Sequence, residues 1–474
     1  MLVAALSTSF MAAIEATIVA TAMPMIVGTL GGFNLFSWVF SGYLLTQAIT
    51  IPIYGRLADI HGRKRILHFG IALFLLGSVL CGLAWNMASL IAFRIVQALG
   101  GGALLPVAQT LVGDLYSGEQ RARMQGYVST TFGSAAVLGP TIGSFLVTHA
   151  GWPMVFWFNV PLGIIAAGML AVMFNERVEK RPHRIDYIGA ILMVLSISAG
   201  LVALAQAAAL SRLSMLTLLA ASALLLLLLL IYEHKIPEPM LPLRLFRKRI
   251  VASGNVVSLA NGAIMMGIVA FLPAYMQVVM GTSALLGGLA LTAMSAAWPL
   301  GGFLGSRIIL RSSYRVSATI GGLTLVSGSI LMVAAVELSL GIAWLMVAAL
   351  LVGLGLGVTN ICFVVAVQAT VDWNQRGVAT SSTAFSRIVG QSFGTAAFAG
   401  IVNLGLASHA GAAGDFVLNI MQPGLPQIAD AAVVHAAKEA FAQSLRNVYL
   451  VNLLLALVVL ATAHLLPSNL KLDR

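Results

Sequence analysis

The chain has 474 residues, 59% of them hydrophobic and only 9% charged, with a formal net charge of +11. Soluble domains run near roughly 45–50% apolar and about 25% charged, so a water-soluble enzyme, a disordered tail and a secreted disulfide scaffold are all excluded. The two cysteines, Cys81 and Cys362, lie in separate apolar runs and offer neither a disulfide framework nor metal-ligand spacing.

A bilayer core of about 30 Å needs about 20 apolar residues at a helical rise of about 1.5 Å each. About fourteen such runs follow one another: 2–27, 38–54, 66–85, 90–113, 124–148, 154–174, 185–210, 215–232, 251–279, 285–309, 316–337, 342–368, 378–406 and 443–466. The first carries Glu15 midway and no basic leader, so it reads as a retained span rather than a signal peptide. No run alternates with period two over its length, which argues against a β-barrel. With the N-terminus inside, 21 of the 26 basic residues fall in cytoplasmic loops or the C-terminal tail, among them Arg56, Arg63–Arg65, Lys180 and Lys248. The positive balance is therefore an orientation signal, and a nucleic-acid partner is not expected.

Charge and proline gather in residues 175–184 and 233–249. Those loops bracket two plain apolar runs, 185–210 and 215–232, which suit a lipid-facing helix pair. The expected organisation is an N-terminal six-helix half (1–174), a linker with two additional transmembrane helices (175–249) and a C-terminal six-helix half (250–474). Repeated halves are a common transporter architecture, with the binding site between them near mid-membrane. The long outer segment 407–442 is mixed, and helix is expected from Ala431.

Between the second and third spans runs Gly55-Arg-Leu-Ala-Asp-Ile-His-Gly-Arg-Lys-Arg65. It resembles the cytoplasmic loop motif of the major facilitator superfamily, G-x-L-a-D-r-x-G-r-k. Gly133-Ser-Ala-Ala-Val-Leu-Gly-Pro-Thr-Ile-Gly143 is similar to the antiporter motif, with Ser144 where a glycine is usual. Ile14-Glu-Ala-Thr-Ile-Val-Ala-Thr-Ala-Met-Pro24, Trp152–Gly163 and Arg94-Ile-Val-Gln-Ala-Leu-Gly100-Gly-Gly102 also match family patterns. Glu15 stands for the usual Asp, Pro153 for an Arg and Ala98 for a Gly. Together with fourteen spans, these features resemble the drug:proton antiporters of the EmrB/QacA-like type. The resemblance implies an all-α integral membrane protein of major facilitator fold with both termini cytoplasmic. It further implies proton-coupled export of hydrophobic or cationic small molecules by alternating access.

The resemblance assigns a gating role to Gly55, Asp59, Gly62 and Arg63, with Asp59 latching to the N-terminal end of the span after Arg376. Gly133, Gly139, Pro140 and Gly143 would let helices approach closely, with Pro140 kinking its span. Glu15 lies about 13 residues, or roughly 20 Å, into span one, where an ionised carboxylate is costly. It is the candidate protonation site; the alternative is a structural acid paired with an Arg. Arg94 needs a partner, found in backbone carbonyls, Gln97 or a group on span one, and a coupling role is implied by the resemblance. Candidate lining residues are Trp38, Tyr43, Gln47, Gln97, Asn261, Gln277, Trp298, Asn360, Phe363, Phe385, Arg387 and Gln391.

No cofactor or metal is expected, and the lack of a G-x-x-x-x-G-K-[ST] loop leaves ATP without a site. The expected partners are a small-molecule substrate, protons and the lipid of a cytoplasmic membrane, with the chain acting as a monomer; the loops speak neither for nor against a periplasmic adaptor. Rival readings are a lipid or specific-metabolite exporter or flippase, and a non-transporting membrane sensor. If the orientation is right, a cysteine introduced into residues 410–414 reacts with an impermeant maleimide from outside intact cells, and labelling from inside only reverses the topology.

Overall fold

The structure, a computed structural model, describes residues 2–32, 35–115, 118–173, 186–207, 210–236, 245–371, 376–408 and 431–466. Their regular structure is helical. In chain order they form α1 (Leu2–Leu30), α2 (Phe36–His61), α3 (Arg63–Gly82), α4 (Met87–Leu115), α5 (Gly118–Ala150), α6 (Pro153–Trp157), α7 (Asn159–Met173) and α8 (Tyr187–Ala205). Then come α9 (Arg212–Glu233), α10 (Arg249–Val269), α11 (Leu272–Val278), α12 (Ala284–Arg311), α13 (Tyr314–Glu337), α14 (Ile342–Thr370), α15 (Arg376–Ser408) and α16 (Ala431–Ala463). Among the described residues, 11 helical stretches are long and apolar enough to cross a membrane, and Trp38–Ile51 and Ile188–Leu204 are shorter apolar ones, against the fourteen expected.

Helix starts follow local chemistry. Asp186 accepts from the Gly189 amide at 2.8 Å, and Ser211 accepts from Ser214 at 3.1 Å, capping α8 and α9. Gly62 joins α2 to α3 at φ +91°, a backbone conformation that side chains with a Cβ rarely adopt. Two expected spans are broken. The stretch near 154–174 divides into α6 and α7 at Phe158, and the stretch near 251–279 divides into α10 and α11 at Ala270–Phe271, just before Pro273. A proline lacks the amide that would continue the helical ladder, so a break beside it is expected on physical grounds. Pro140 behaves differently, because α5 continues through it.

Neighbour relations in α1–α7 recur in α10–α16. α1 packs on α4, α5 and α7, while α10 packs on α14, α15 and α16. α3 packs on α4 and α7, and α13 on α14 and α16. Even the helix-end contacts match: Lys64 Nζ, at the start of α3, donates to Ala171 O near the end of α7 at 2.8 Å. Arg315, at the start of α13, donates from Nε to Leu466 O at 2.8 Å and from Nη2 to His464 O at 2.9 Å, just past the end of α16. A cation on these terminal carbonyls opposes the negative end of the helix dipole.

The two sets meet along α2–α15 and α5–α12. Ser41 Oγ donates to Ser392 O at 3.3 Å, Thr141 and Thr292 hydroxyls lie 3.5 Å apart, and the Phe36 and Phe271 ring centroids are 5.6 Å apart. These contacts lie between mid-bundle and the end where α1 runs into α2.

The two helices expected to face lipid differ: α8 exposes Ile188, Ile191 and Leu195 but also has a packed face. α9 is mostly exposed, with Leu229 and Glu233 its buried residues. α8, however, packs against both α2 and α15: Met193, Ile197 and Leu201 form one buried cluster with Leu45 and Ala396. Gly200 admits the Phe393 ring, and Ser196 and Ser222 exchange hydroxyl-to-carbonyl hydrogen bonds of 2.9 and 2.8 Å that tie α8 to α9. A uniformly apolar run cannot distinguish a lipid face from a packed face, because both are apolar.

Lipid is as apolar as a leucine side chain, so close packing rather than hydrophobic exclusion must hold these helices together. Small residues supply it. At Gly357 a Cβ would collide with the Trp298 carbonyl, and at Gly390 with that of Leu259, so α14–α12 and α15–α10 are in backbone contact. Gly357→Val is expected to cost about 2 kcal/mol or more through overpacking, measured as a lower melting temperature in detergent. Gly168, helical and with nothing within 4 Å of a built Cβ, is the control: Gly168→Val should stay within about 0.5 kcal/mol of the parent. Equal losses at both positions would refute the packing account.

Candidate functional site

Glu15 and Arg94 are 79 residues apart in sequence and form a direct ion pair, Arg94 Nη1 to Glu15 Oε1, with side-chain exposures of 0% and 2%. α1 and α4 bring them together, the former seated on α5 by glycine. A Cβ at Gly139 would strike the Thr17 hydroxyl, and one at Gly143 that of Thr21. Both hydroxyls turn back onto their own helix, Thr17 to Ile14 O at 3.1 Å and Thr21 to Ile18 O at 2.8 Å. Gly139 and Gly143 thus lie where α5 meets α1. Gly133 instead faces Pro299 of α12, 2.9 Å from a built Cβ, and the Pro140 carbonyl faces Gly288.

The pair is enclosed by a polar network from four helices, α2, α3, α4 and α7. Asn159 Nδ2 donates to the second carboxylate oxygen, Glu15 Oε2, at 2.6 Å. Arg94 donates from Nη1 to Gln97 Oε1 at 2.6 Å and from Nε to Val39 O at 3.2 Å. Gln97 Nε2 donates onward to Ser78 Oγ at 2.8 Å, and Ser78 to Phe74 O at 2.9 Å. The guanidinium carbon lies 4.0 Å from the Tyr43 ring centroid and 5.8 Å from that of Phe156. Charges buried this deeply are tolerable only when paired and hydrogen-bonded, and here both carboxylate oxygens are engaged. Two orphans remain: Tyr43 Oη and Asn159 Oδ1 are buried and unpartnered among the described residues.

The predicted residues fall into separate groups. Tyr43, Gln97 and Arg94 gather around Glu15, and Gln47 lies beside them with Nε2 3.4 Å from Gly101 O. A second group forms on α10, α14 and α15: Asn261 Nδ2 donates to Thr359 Oγ1 at 3.0 Å, and Gln391 Nε2 lies 3.5 Å from Met265 Sδ. Arg387 is on the same stretch of α15, Phe363 is buried in α14, and Asn360 is partly buried beside Thr359. Trp38 and Phe385 belong instead to the apolar seam under α8. Gln277 lies in α11 near Gly287, and Trp298 in α12 lends its carbonyl to the Gly357 contact. A groove of about 320 Å³ lined by Leu6, Phe10, Thr131, Ser134, Leu162 and Ile165 contains none of them.

Of the gating motif, Gly62 forms the turn and Arg63 opens α3. The surroundings of Gly55 and Asp59, and of the expected latch partner at Arg376–Gly377, lie outside the described residues. Asn159 and Ser78 were not singled out from the sequence as site residues. The signal for Asn159 was present: an Asn followed by Pro161 and Gly163 within an apolar run marks a helix interruption that places an amide at membrane depth.

Comparison with known proteins agrees with this architecture. The Major Facilitator Superfamily profile matches residues 5–395. The chain is 33% identical over 399 residues to the multidrug transporter protein MdtP of Bacillus subtilis (strain 168), covering 83% of this chain and 73% of that one. It is 33% identical over 391 residues to multidrug resistance protein 3 of the same organism, covering 82% and 76%. Among solved structures, a bacterial homologue of the human lysosomal transporter Spinster, inward-facing and unoccupied, superposes with a TM-score of 0.70 at 17% identity, covering 98% of this chain and 96% of that chain. The D-xylose–proton symporter gives 0.66 at 12% identity, with 98% and 97% covered. With its profile match, its bacterial relatives and its helical fold in agreement, the chain belongs to the major facilitator superfamily, as a membrane transporter and not an enzyme.

Proposed function

We propose that this transporter exports drug-like hydrophobic small molecules from the cytoplasm in exchange for protons, with Glu15 as the protonation site. The observation that carries the reading is the Glu15–Arg94 pair with its Asn159 and Gln97 partners, fully buried within the N-terminal set of helices. A carboxylate held in this way takes all its partners from the protein rather than from bulk water. Admitting a proton neutralises it, releases Arg94 from the ion pair and changes which neighbours the guanidinium needs. That is a chemical means of coupling protonation to helix position. The names of the Bacillus relatives support a multidrug substrate range.

Alternating access follows from the same arrangement. The described contacts between the helix sets cluster from mid-bundle toward the α1–α2 turn, the end that the basic loops place outside. This supports a state closed outward, with α1–α7 (within 1–174) and α10–α16 (within 250–474) rocking about the shared seams and residues 175–249 joining them. A total of fourteen spans with both termini cytoplasmic, in a bacterial inner membrane, completes the proposal. Asp59, at the cytoplasmic end of α2, gates the opposite side.

Glu15→Gln mimics the protonated acid while keeping an amide for Asn159. In proteoliposomes it should abolish dye transport driven by a pH gradient yet retain dye-for-dye counterflow. Gradient-driven transport at the parental rate would remove Glu15 from the coupling scheme. The Glu15→Gln/Arg94→Gln double variant, which leaves no unpaired buried charge, separates coupling from folding and should be equally uncoupled. For the gate, Asp59→Asn should slow turnover by about tenfold while changing dye affinity by less than about twofold. The opposite pattern would place Asp59 in binding rather than gating.

A further inference from the structure

Glu15 and Arg94 form an ion pair, but among the described residues Arg387 has no such counter-charge. It lies eleven residues into α15, roughly 17 Å of rise from the start of a helix of 33 residues, about a third of the way along it and within the apolar stretch Ser382–Leu406. Among the described residues it makes no hydrogen bond, ion pair or cation–π contact. Its surroundings fix where it points. Ser382, Ser386 and Gly390 of α15 pack on α10, and Phe385, Val389 and Phe393 pack in the seam with α2 and α8. At about 100° per residue, Ala384, Arg387, Ile388 and Gln391 occupy the arc left between α10 and α2, and all four are partly or fully exposed. On the α2 side that arc is bounded by the Ser392–Ser41 contact between the two helix sets.

Two further polar groups lie on the neighbouring stretches of α10 and α15. Gly262 of α10 packs directly on the Arg387 carbonyl, and Asn261, one residue earlier, is 1% exposed with its Oδ1 unpartnered. Gln391, one turn beyond Arg387, has the Met265 thioether as its amide neighbour, a weak acceptor. An unpaired cation within a membrane span is costly and defaults to function rather than structure. A guanidinium with open donors fits a carboxylate or sulfonate in a bidentate pair.

We propose that Arg387 is the anion-binding residue of the substrate site, so that the transported molecules are amphipathic organic anions. Asn261 Oδ1 accepts a hydrogen bond from a donor on the molecule's body, and Gln391 supplies a second polar contact. The cationic substrates expected from sequence resemblance are repelled by this site. The inference rests on the exporter reading for its transport direction, but its binding chemistry is testable without transport.

The test uses two dyes with the same tricyclic xanthene ring system, anionic fluorescein and cationic rhodamine 123, bound to the purified full chain in detergent and read by anisotropy. The parent protein should bind fluorescein about tenfold more tightly than rhodamine 123. Arg387→Gln should weaken fluorescein by about tenfold or more and leave rhodamine 123 unchanged or tighter, and Arg387→Lys should recover part of the loss. Should Arg387→Gln fail to fold, competition on the parent decides: salicylate displaces fluorescein and neutral salicylamide does not. A parent that does not prefer fluorescein, a variant that loses both dyes equally, or salicylamide competing as well as salicylate would overturn the proposal. Charge-selective binding without pH-driven transport would instead refute the coupling scheme and leave this site standing.

Discussion

Two opposite charges in a medium that cannot solvate them constrain everything around them. Glu15 and Arg94 are sealed from solvent, so each must find its full set of partners within the protein. That requirement draws in α1, α2, α3, α4 and the α6–α7 break together. Asn159 takes one carboxylate oxygen, while Gln97 and the Val39 carbonyl take the remaining reach of the guanidinium. Shifting one of these helices by a turn would strand a charge, which is far more costly than losing a neutral hydrogen bond. The pair therefore holds the N-terminal helices in register.

Glycine packing makes the pair possible. Gly77 seats α3 on the backbone of Gln97, and Gly101 admits the Tyr43 hydroxyl to α4. Without such contacts the polar side chains could not reach one another across the helix interfaces. The same device on the C-terminal side, where Gly262 seats α10 on Arg387, leaves a half-buried cation with no counter-charge among the described residues. The two helix sets share packing relations but differ in electrostatics: one pairs its intramembrane arginine with an acid, and among the described residues the other does not.

Much of this was legible in the sequence, for identifiable reasons. Hydropathy located the apolar runs because the bilayer imposes a length, and Glu15, Arg94 and Arg387 stood out because an ionisable residue in such a run is expensive. Their pairing was not legible, since nothing in the sequence fixes which faces of α1 and α4 meet. Asn159 was passed over because a neutral amide leaves only a weak mark on hydropathy, although the prolines beside it announced the helix break. The packed face of α8 was hidden by its uniform apolarity; Ser196 and Gly200 were the only hints that it meets protein rather than lipid.

That packed face gives the bundle unlike flanks. The α2–α15 seam is roofed by α8, with Ile197, Leu201 and Met193 filling the furrow that acyl chains would otherwise occupy. The α5–α12 seam has no such cover among the described helices, and its Thr141 and Thr292 hydroxyls are part of its surface. The bilayer thus meets one walled flank and, among the described helices, one bare flank.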